Sequence, residues 1–337
     1  MTPGELEERL SRPTAGVVEV LRQLPGDLLV LGAGGKMGPS LARMARRALD
    51  TLGRRDRVIA ASRFGTPGLA EALQRDGLEV HAVDLLDPAA LAALPDAPNV
   101  VFMAGQKFGT AAAPHRTWAL NALLPARAAE RFPSARTVVF STGNVYPLTD
   151  AAGPGPDEAH PVGPIGEYAM SCLARERLYE HAAATRGTPV LLLRLNYAID
   201  LRYGVLVDIA RRVREGQPVP LAMGAVNLVW QGDANARALQ ALALATAPAT
   251  ILNVTGADTL HVRDLALRLG ARFGREVRFE GTEAPEALLS NAARSVELFG
   301  PPAVSVDMML DWTAAWLEAG GLLLDKPTRF EVRDGRF

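Results

Sequence analysis

Leu28-Leu-Val-Leu31-Gly32-Ala33-Gly34-Gly35-Lys36-Met37-Gly38 is the stretch that decides the fold of this chain. Four apolar residues suited to a buried strand run straight into closely spaced glycines, and a helix-like segment follows. Such a strand–glycine–helix turn lets backbone N–H groups approach a pyrophosphate at a helix N-terminus. The spacing Gly32-x-x-Gly35-x-x-Gly38 differs by one from the commoner dinucleotide fingerprint, and a tight turn without any ligand would use the same glycines. The rest of the chain has to discriminate.

Outward from that loop, apolar strands alternate with helical segments. Strands are expected at 27–31, 57–61, 78–83, 99–103, 137–140 and 189–193, with helices at 39–49, 68–75, 114–131 and 168–185. This alternation predicts a doubly wound α/β domain, a Rossmann-type parallel sheet with helices on both faces. Two short helices (2–10 and 14–24) precede it, and a Gly/Pro-rich loop over 150–166 interrupts it. Beyond 197 the pattern is mixed, with helices expected at 205–215, 232–247, 262–273 and 305–319. The domain reading is therefore a helical extension (1–25), a dinucleotide-binding domain (26–196), a smaller mixed substrate lobe (197–325) and a tail (326–337).

Composition narrows the function classes. A formal net charge of −1 over 337 residues gives no footprint for nucleic acid or an anionic membrane surface. No stretch reaches the roughly 18 apolar residues of a membrane span. The acidic start, with Glu5, Glu7 and Glu8, lacks the basic head of a signal peptide. One cysteine, Cys172, makes no internal disulfide, which fits a reducing cytoplasm. The five histidines show no ligand spacing, so no metal is expected. Of 36 basic residues only Lys36, Lys107 and Lys326 are lysines. Lysines that survive such a preference for arginine mark places where a guanidinium would not fit.

Several further motifs share an order. Asp84-Leu85 follows the third strand, Met103-Ala104-Gly105-Gln-Lys107 the fourth, and Ser141-Thr142 ends the fifth. Asn121 lies in the helix between, Tyr168-Ala-Met-Ser-Cys172 opens the next, and Arg194-Leu-Asn196 and Trp230-Gln-Gly-Asp233 come later. Together with Gly32, Gly35 and Gly38 these resemble the extended short-chain dehydrogenase/reductase family, which includes nucleotide-sugar epimerases and dehydratases. The resemblance covers roughly 27–320 and implies an NAD(P)-dependent oxidoreductase or epimerase acting on a hydroxyl or ketone of a sugar-like small molecule.

By that resemblance Tyr168 is the acid/base, Thr142 the oxygen-orienting hydroxyl, and Gly32, Gly35, Lys36, Met37, Gly38, Met103, Ala104, Gly105, Lys107, Asn121 and Asn196 lie along the cofactor. At the end of the second strand an acid would favour NAD; Ser62-Arg63 stand there instead, with Lys36 as a second cation nearby, which favours NADP(H) with NAD still open. The family's lysine four residues after the tyrosine is Cys172 here. A thiol carries no positive charge and cannot lower the tyrosine pKa. Three readings stay open: Tyr168 acts in its neutral form, Lys107 supplies the charge, or the protein is a cofactor-binding sensor or scaffold without turnover. Gly143-Asn144 offers no acidic pair beside Thr142, which disfavours elimination. A homodimer is expected through Leu173, Leu178, Ala182 and Ala184 beside Leu120, Leu123, Leu124 and Ala128. His115 and Trp118 are expected in the core. Trp230 and Asn227 stand where the resembling family often contacts substrate, though a buried Trp before a helix is equally expected. Arg202 is a weaker candidate for an anionic substrate group.

Overall fold

The structure, a computed structural model, describes residues 1–107, 109, 112–324, 326 and 328–336. Strands β1 (Leu28–Leu31), β2 (Val58–Ser62), β3 (Glu79–Ala82), β4 (Asn99–Phe102), β5 (Arg136–Thr142), β6 (Val190–Leu195) and β7 (Thr250–Val254) form one parallel seven-stranded sheet. Its order is β7-β6-β5-β4-β1-β2-β3, so the chain reverses direction across the sheet between β1 and β4. A crevice opens at the carboxyl ends of strands where such a reversal occurs. The central strands are apolar on both faces: every residue of β1 and β4 is buried, as a parallel sheet with two covered faces requires.

Helices α1 (Pro3–Ser11), α2 (Ala15–Gln23), α3 (Gly38–Thr51), α4 (Leu69–Arg75), α5 (Pro88–Ala92), α6 (Pro114–Trp118), α7 (Leu124–Arg131) and α8 (Gly166–Arg186) belong to the first part of the chain. The later part adds α9 (Val205–Arg214), α10 (Gln231–Gln240), α11 (Val262–Phe273), α12 (Ala293–Phe299) and α13 (Val306–Glu318). One core layer packs α2, α3 and α10 on the sheet, including Val17, Leu41, Met44 and Leu239. The opposite layer joins Leu124, Ala128, Tyr179 and Ala182 to the other face. A third core, with Ile209, Trp230, Leu265 and Trp316, fills the second lobe.

Sequence reading and structure diverge where tertiary context decides. Strand β7 comes from 250–254, inside what reads as the substrate lobe, and pairs with β6 from Leu191 to Leu195. The sheet is thus incomplete without the later half of the chain. The N-terminal helices are built into both lobes: Leu6 and Leu10 enter the third core, Val17 and Leu21 the first. The expected continuous helix over 114–131 is broken by a π-helical turn, Ala119–Leu123. Pro125 has no N–H for the Asn121 carbonyl and its ring excludes that carbonyl, so the helix widens by a residue there. Among the described residues no helix is long and apolar enough to cross a membrane.

Candidate active site

Two adjoining cavities lie at the carboxyl ends of the strands and share Gly32, Gly35 and Met103 in their walls. The larger, about 460 Å³, runs over the ends of β1 to β4 and is lined by Ser62, Arg63, Asp84, Leu85, Ala104 and Gly105. The smaller, about 280 Å³, holds Lys36, Met37, Lys107, Thr142, Tyr168 and Asn196. Most of the motif residues thus converge on one continuous cleft.

The glycines make that cleft possible. Gly32 has φ +92°, and a Cβ there would lie 2.5 Å from the Ala104 amide nitrogen. Gly38 lets α3 approach the Ala33 backbone closer than any side chain permits. These glycines let the strand, the loop after β4 and a 14-residue helix pack backbone to backbone at the sheet reversal, a tight strand–helix turn that fits a dinucleotide.

Tyr168 sits in the first turn of α8 and hydrogen-bonds with Thr142, which burial at the end of β5 fixes in place. The Thr142 hydroxyl donates to Asn144 Oδ1 (3.0 Å) and accepts from the Asn144 amide (3.2 Å), capping the turn that follows β5. Burial raises the Tyr168 phenol well above its ordinary value, and the neighbouring Cys172 pushes the same way. Cys172 itself is 1% exposed and packs with Val145 and Tyr146; burial raises its thiol too. It is a small core residue. The Lys107 ammonium lies 5.9 Å from the Tyr168 ring centre, and burial lowers its pKa to about 8.

A second cation near Tyr168 escaped the sequence reading. Arg175, two turns along α8, is buried and donates to the Phe140 carbonyl (2.6 Å) and Asn121 Oδ1 (2.9 Å). Its Nε reaches the Asn121 carbonyl that the π turn frees (3.4 Å). A Cβ on Gly105 would lie 2.6 Å from Arg175 Nη2, so the guanidinium lies directly under the floor of the larger cavity. All three acceptors are neutral, and the guanidinium lowers the Tyr168 pKa against the burial cost. Its signal was in the sequence, a long basic side chain at i+3 from Cys172, but arginine on a helix is ordinarily solvated. Deeper still, Glu176 binds Arg194 (2.7 Å, both essentially inaccessible) and accepts from Ser141 (2.5 Å), and Arg194 donates to the Tyr146 hydroxyl. This buried network ties α8 to the ends of β5 and β6.

Other sequence expectations are corrected by geometry. Lys36 does not stand beside Ser62-Arg63: its ammonium crosses the smaller cavity to donate to the Ala198 carbonyl (3.0 Å) and lies 4.3 Å from the Tyr203 ring centre. Asn121 does not line either cavity. It is fully buried, accepting from the Gln106 amide and donating to the Gln106 carbonyl and Ser171 Oγ, so it shapes the loop after β4 from behind. Arg63 faces the larger cavity with Asp84 4.0 Å away. His115 and Trp118 are exposed, not core, and Trp118 donates to Glu167 Oε2 (2.5 Å). Trp230 is core, stacked edge-on against Trp312. Arg202 is committed to Asp200 (2.8 Å) and Glu7 (2.6 Å).

Known structures share this architecture. A UDP-glucuronic acid 4-epimerase from Bacillus cereus in complex with NAD superposes with a TM-score of 0.71 at 17% identity, covering 87% of this chain and 99% of that one. A UDP-glucose 4-epimerase from Thermotoga maritima gives 0.71 at 19%, covering 87% and 99%. A short-chain dehydrogenase/reductase superfamily protein from Agrobacterium tumefaciens with bound NAD gives 0.70 at 19%, covering 87% and 97%. No curated protein matches the chain in sequence. The family model described as the NAD dependent epimerase/dehydratase family matches residues 28–229, more than half of the chain, and the protein belongs to that family.

Proposed function

We propose that this protein is a nicotinamide-dependent oxidoreductase or epimerase that acts on a hydroxyl or ketone of a sugar-like small molecule, with NADP(H) preferred. The observation that carries the reading is the continuity of the two cavities: the glycine cradle and the Ser62-Arg63 edge open directly onto Tyr168, Thr142 and Lys107. The neighbours named above with NAD and UDP-sugars support the cofactor and substrate class.

Gly32, Gly35 and Met37 would hold the cofactor's middle, and Ser62 and Arg63 its adenosine end. The nicotinamide, when bound, supplies or accepts the hydride. Tyr168 moves a proton to or from the substrate oxygen, and Thr142, hydrogen-bonded to it, orients that oxygen. Lys107 beside the ring and Arg175 behind the loop supply positive charge that Cys172 does not. Burial holds Tyr168 as the neutral phenol, which suits donation to a ketone better than abstraction from an alcohol.

The test is turnover by purified protein across sugars, sugar acids and ketones with NADP(H) and NAD(H). It is read both as net cofactor oxidation or reduction and as conversion of each substrate to its epimer, which leaves the cofactor unchanged. Turnover that depends on Tyr168 supports the reading. Tight cofactor binding without turnover on any of them would favour a sensor or scaffold.

A further inference from the structure

Two of the three lysines in the chain, Lys36 and Lys107, line the same 280 Å³ cavity as Tyr168. They reach it from separate elements, one from the glycine loop and one from the segment after β4. Among the described residues that line it, none is an aspartate or glutamate. Carboxylates stand behind the walls: Asp200 with Arg202, Asp208 accepting from the Thr328 amide (2.7 Å) and hydroxyl (2.6 Å) and acting on Lys107, and Glu331 near Tyr197. Gly204 and Val205, where α9 begins, face the same space with the positive end of a helix dipole, partly offset by Asp208 in the first turn. The cavity wall itself therefore presents two ammonium groups and no carboxylate where the substrate would sit.

The cofactor's diphosphate would lie over the glycine loop, but the Lys36 ammonium turns away from that loop toward Ala198 and Tyr203 on the opposite wall. Its charge is presented on the substrate side. The space is also small, at the low end for a small-molecule site, and it must admit a nicotinamide ring as well. Thr328 of the C-terminal tail forms part of its wall. Val332, Arg333 and Gly335 close the neighbouring gap beside Asn144 and Tyr146 to about 30 Å³. A nucleotide handle has no room to leave by that side.

Resting on the oxidoreductase or epimerase reading above, we infer that the substrate is a small free hydroxy acid or its keto form, its carboxylate held by Lys36 and Lys107, and not a nucleotide-linked sugar. An ammonium pair rather than two guanidinium forks suits this crowded wall, since each lysine brings a compact point charge. Charge-assisted hydrogen bonds then set which end of the acid faces Tyr168.

Calorimetric titration of the full-length, NADP-loaded protein with glucuronate, gluconate and 3-hydroxybutyrate, with glucuronate methyl ester, and with UDP-glucuronate tests this, followed by the cofactor-reduction assay on each. Glucuronate should bind roughly tenfold or more tightly than its methyl ester, and more tightly than UDP-glucuronate. Lys36→Met and Lys107→Met should each erase most of that acid-over-ester preference, while affinity for the cofactor falls by a smaller factor. Equal binding of acid and ester, tighter binding of UDP-glucuronate, or no binding of any acid overturns the inference. So does a Lys36→Met variant whose cofactor affinity falls as much as its acid affinity, which assigns that lysine to the diphosphate. Selective acid binding with no turnover would uphold the anion site and defeat the oxidoreductase reading. Turnover of the uncharged methyl ester equal to that of glucuronate would do the reverse.

Discussion

The Lys107 ammonium lies 5.9 Å from the centre of the Tyr168 ring, in the same cavity, while the residue one turn after Tyr168 is an uncharged, buried cysteine. We propose that Lys107, on the loop after β4, supplies the positive charge that Cys172 does not. An ammonium this close favours tyrosinate over tyrosine. Lys107→Met should therefore lower turnover about tenfold or more at fixed pH, raise the kinetic pKa of the acid/base group, and weaken cofactor binding far less. Cys172→Lys in that background should restore part of the loss. A pH–rate profile identical to wild type in Lys107→Met would mean that Arg175, or no cation at all, serves Tyr168.

The proposed NADP(H) preference rests on Ser62 and Arg63, because Lys36 points into the other cavity. Asp84, 4.0 Å from Arg63, competes for the guanidinium and moderates the preference. NADPH should still bind more tightly than NADH, and Arg63→Ala should cost about 1.5–3 kcal/mol of NADPH affinity. Titration calorimetry with both cofactors on both proteins measures it; equal wild-type affinities would refute the preference.

Stability should carry the signature of a cationic cleft. Burial lowers the Lys36 pKa from 10.5 to about 8, so the folded protein holds its proton less tightly than the unfolded chain. Asp200 opposes that shift, while Arg202 and Lys107 add to it. Between pH 8 and 10.5 the unfolded chain binds more protons, so this group makes stability rise with pH across that window. The cost is fully present below pH 8. Lys36→Met should accordingly be more stable than wild type at pH 7, by about 1–2 kcal/mol after allowing for partial exposure. The difference should fade as the pH approaches 10.5. Thermal melts of both proteins across that range decide it, and a variant less stable at pH 7 would contradict the assignment.

The surface around α8 supports a symmetric dimer in narrower form than the sequence implies. Leu124, Ala128 and Ala182 are core residues and cannot contribute. Leu123 and Met170, each 46% exposed, remain available beside Trp118, with half-buried Leu173 and Leu178. We propose a two-fold contact across this face. Light scattering should return about twice 35.9 kDa at micromolar concentration, and Met170→Glu should halve it. A wild-type monomer would rule the contact out.

Much of this was legible in the chain because it is local. Strand and glycine-loop positions follow from apolar runs bounded by glycine, and the residues at strand ends fall in the cleft because a parallel sheet brings all its carboxyl ends to one edge. What was not legible depends on distant partners. Strand β7 reads like any short apolar run until β6 is placed beside it. Lys36 is only four residues from Gly32, yet its direction is set by Ala198 and Tyr203. Asn121 has the right position and a different duty, because the π turn around Pro125 points it at Gln106 and Arg175. Arg175 is invisible as a site residue until those acceptors are assembled around it.

We propose that proton transfer in this cleft belongs to Tyr168 although the residue one turn on, Cys172, carries no charge. The most direct test is the single-turnover rate of cofactor oxidation or reduction, with a turned-over sugar acid or ketone, in wild type and Tyr168→Phe, each preloaded with cofactor. General acid–base catalysis contributes about 10²–10⁴-fold, so Tyr168→Phe should be slower by at least about a hundredfold while cofactor affinity is nearly unchanged. A Tyr168→Phe rate equal to that of wild type would contradict the account and place the chemistry on another group.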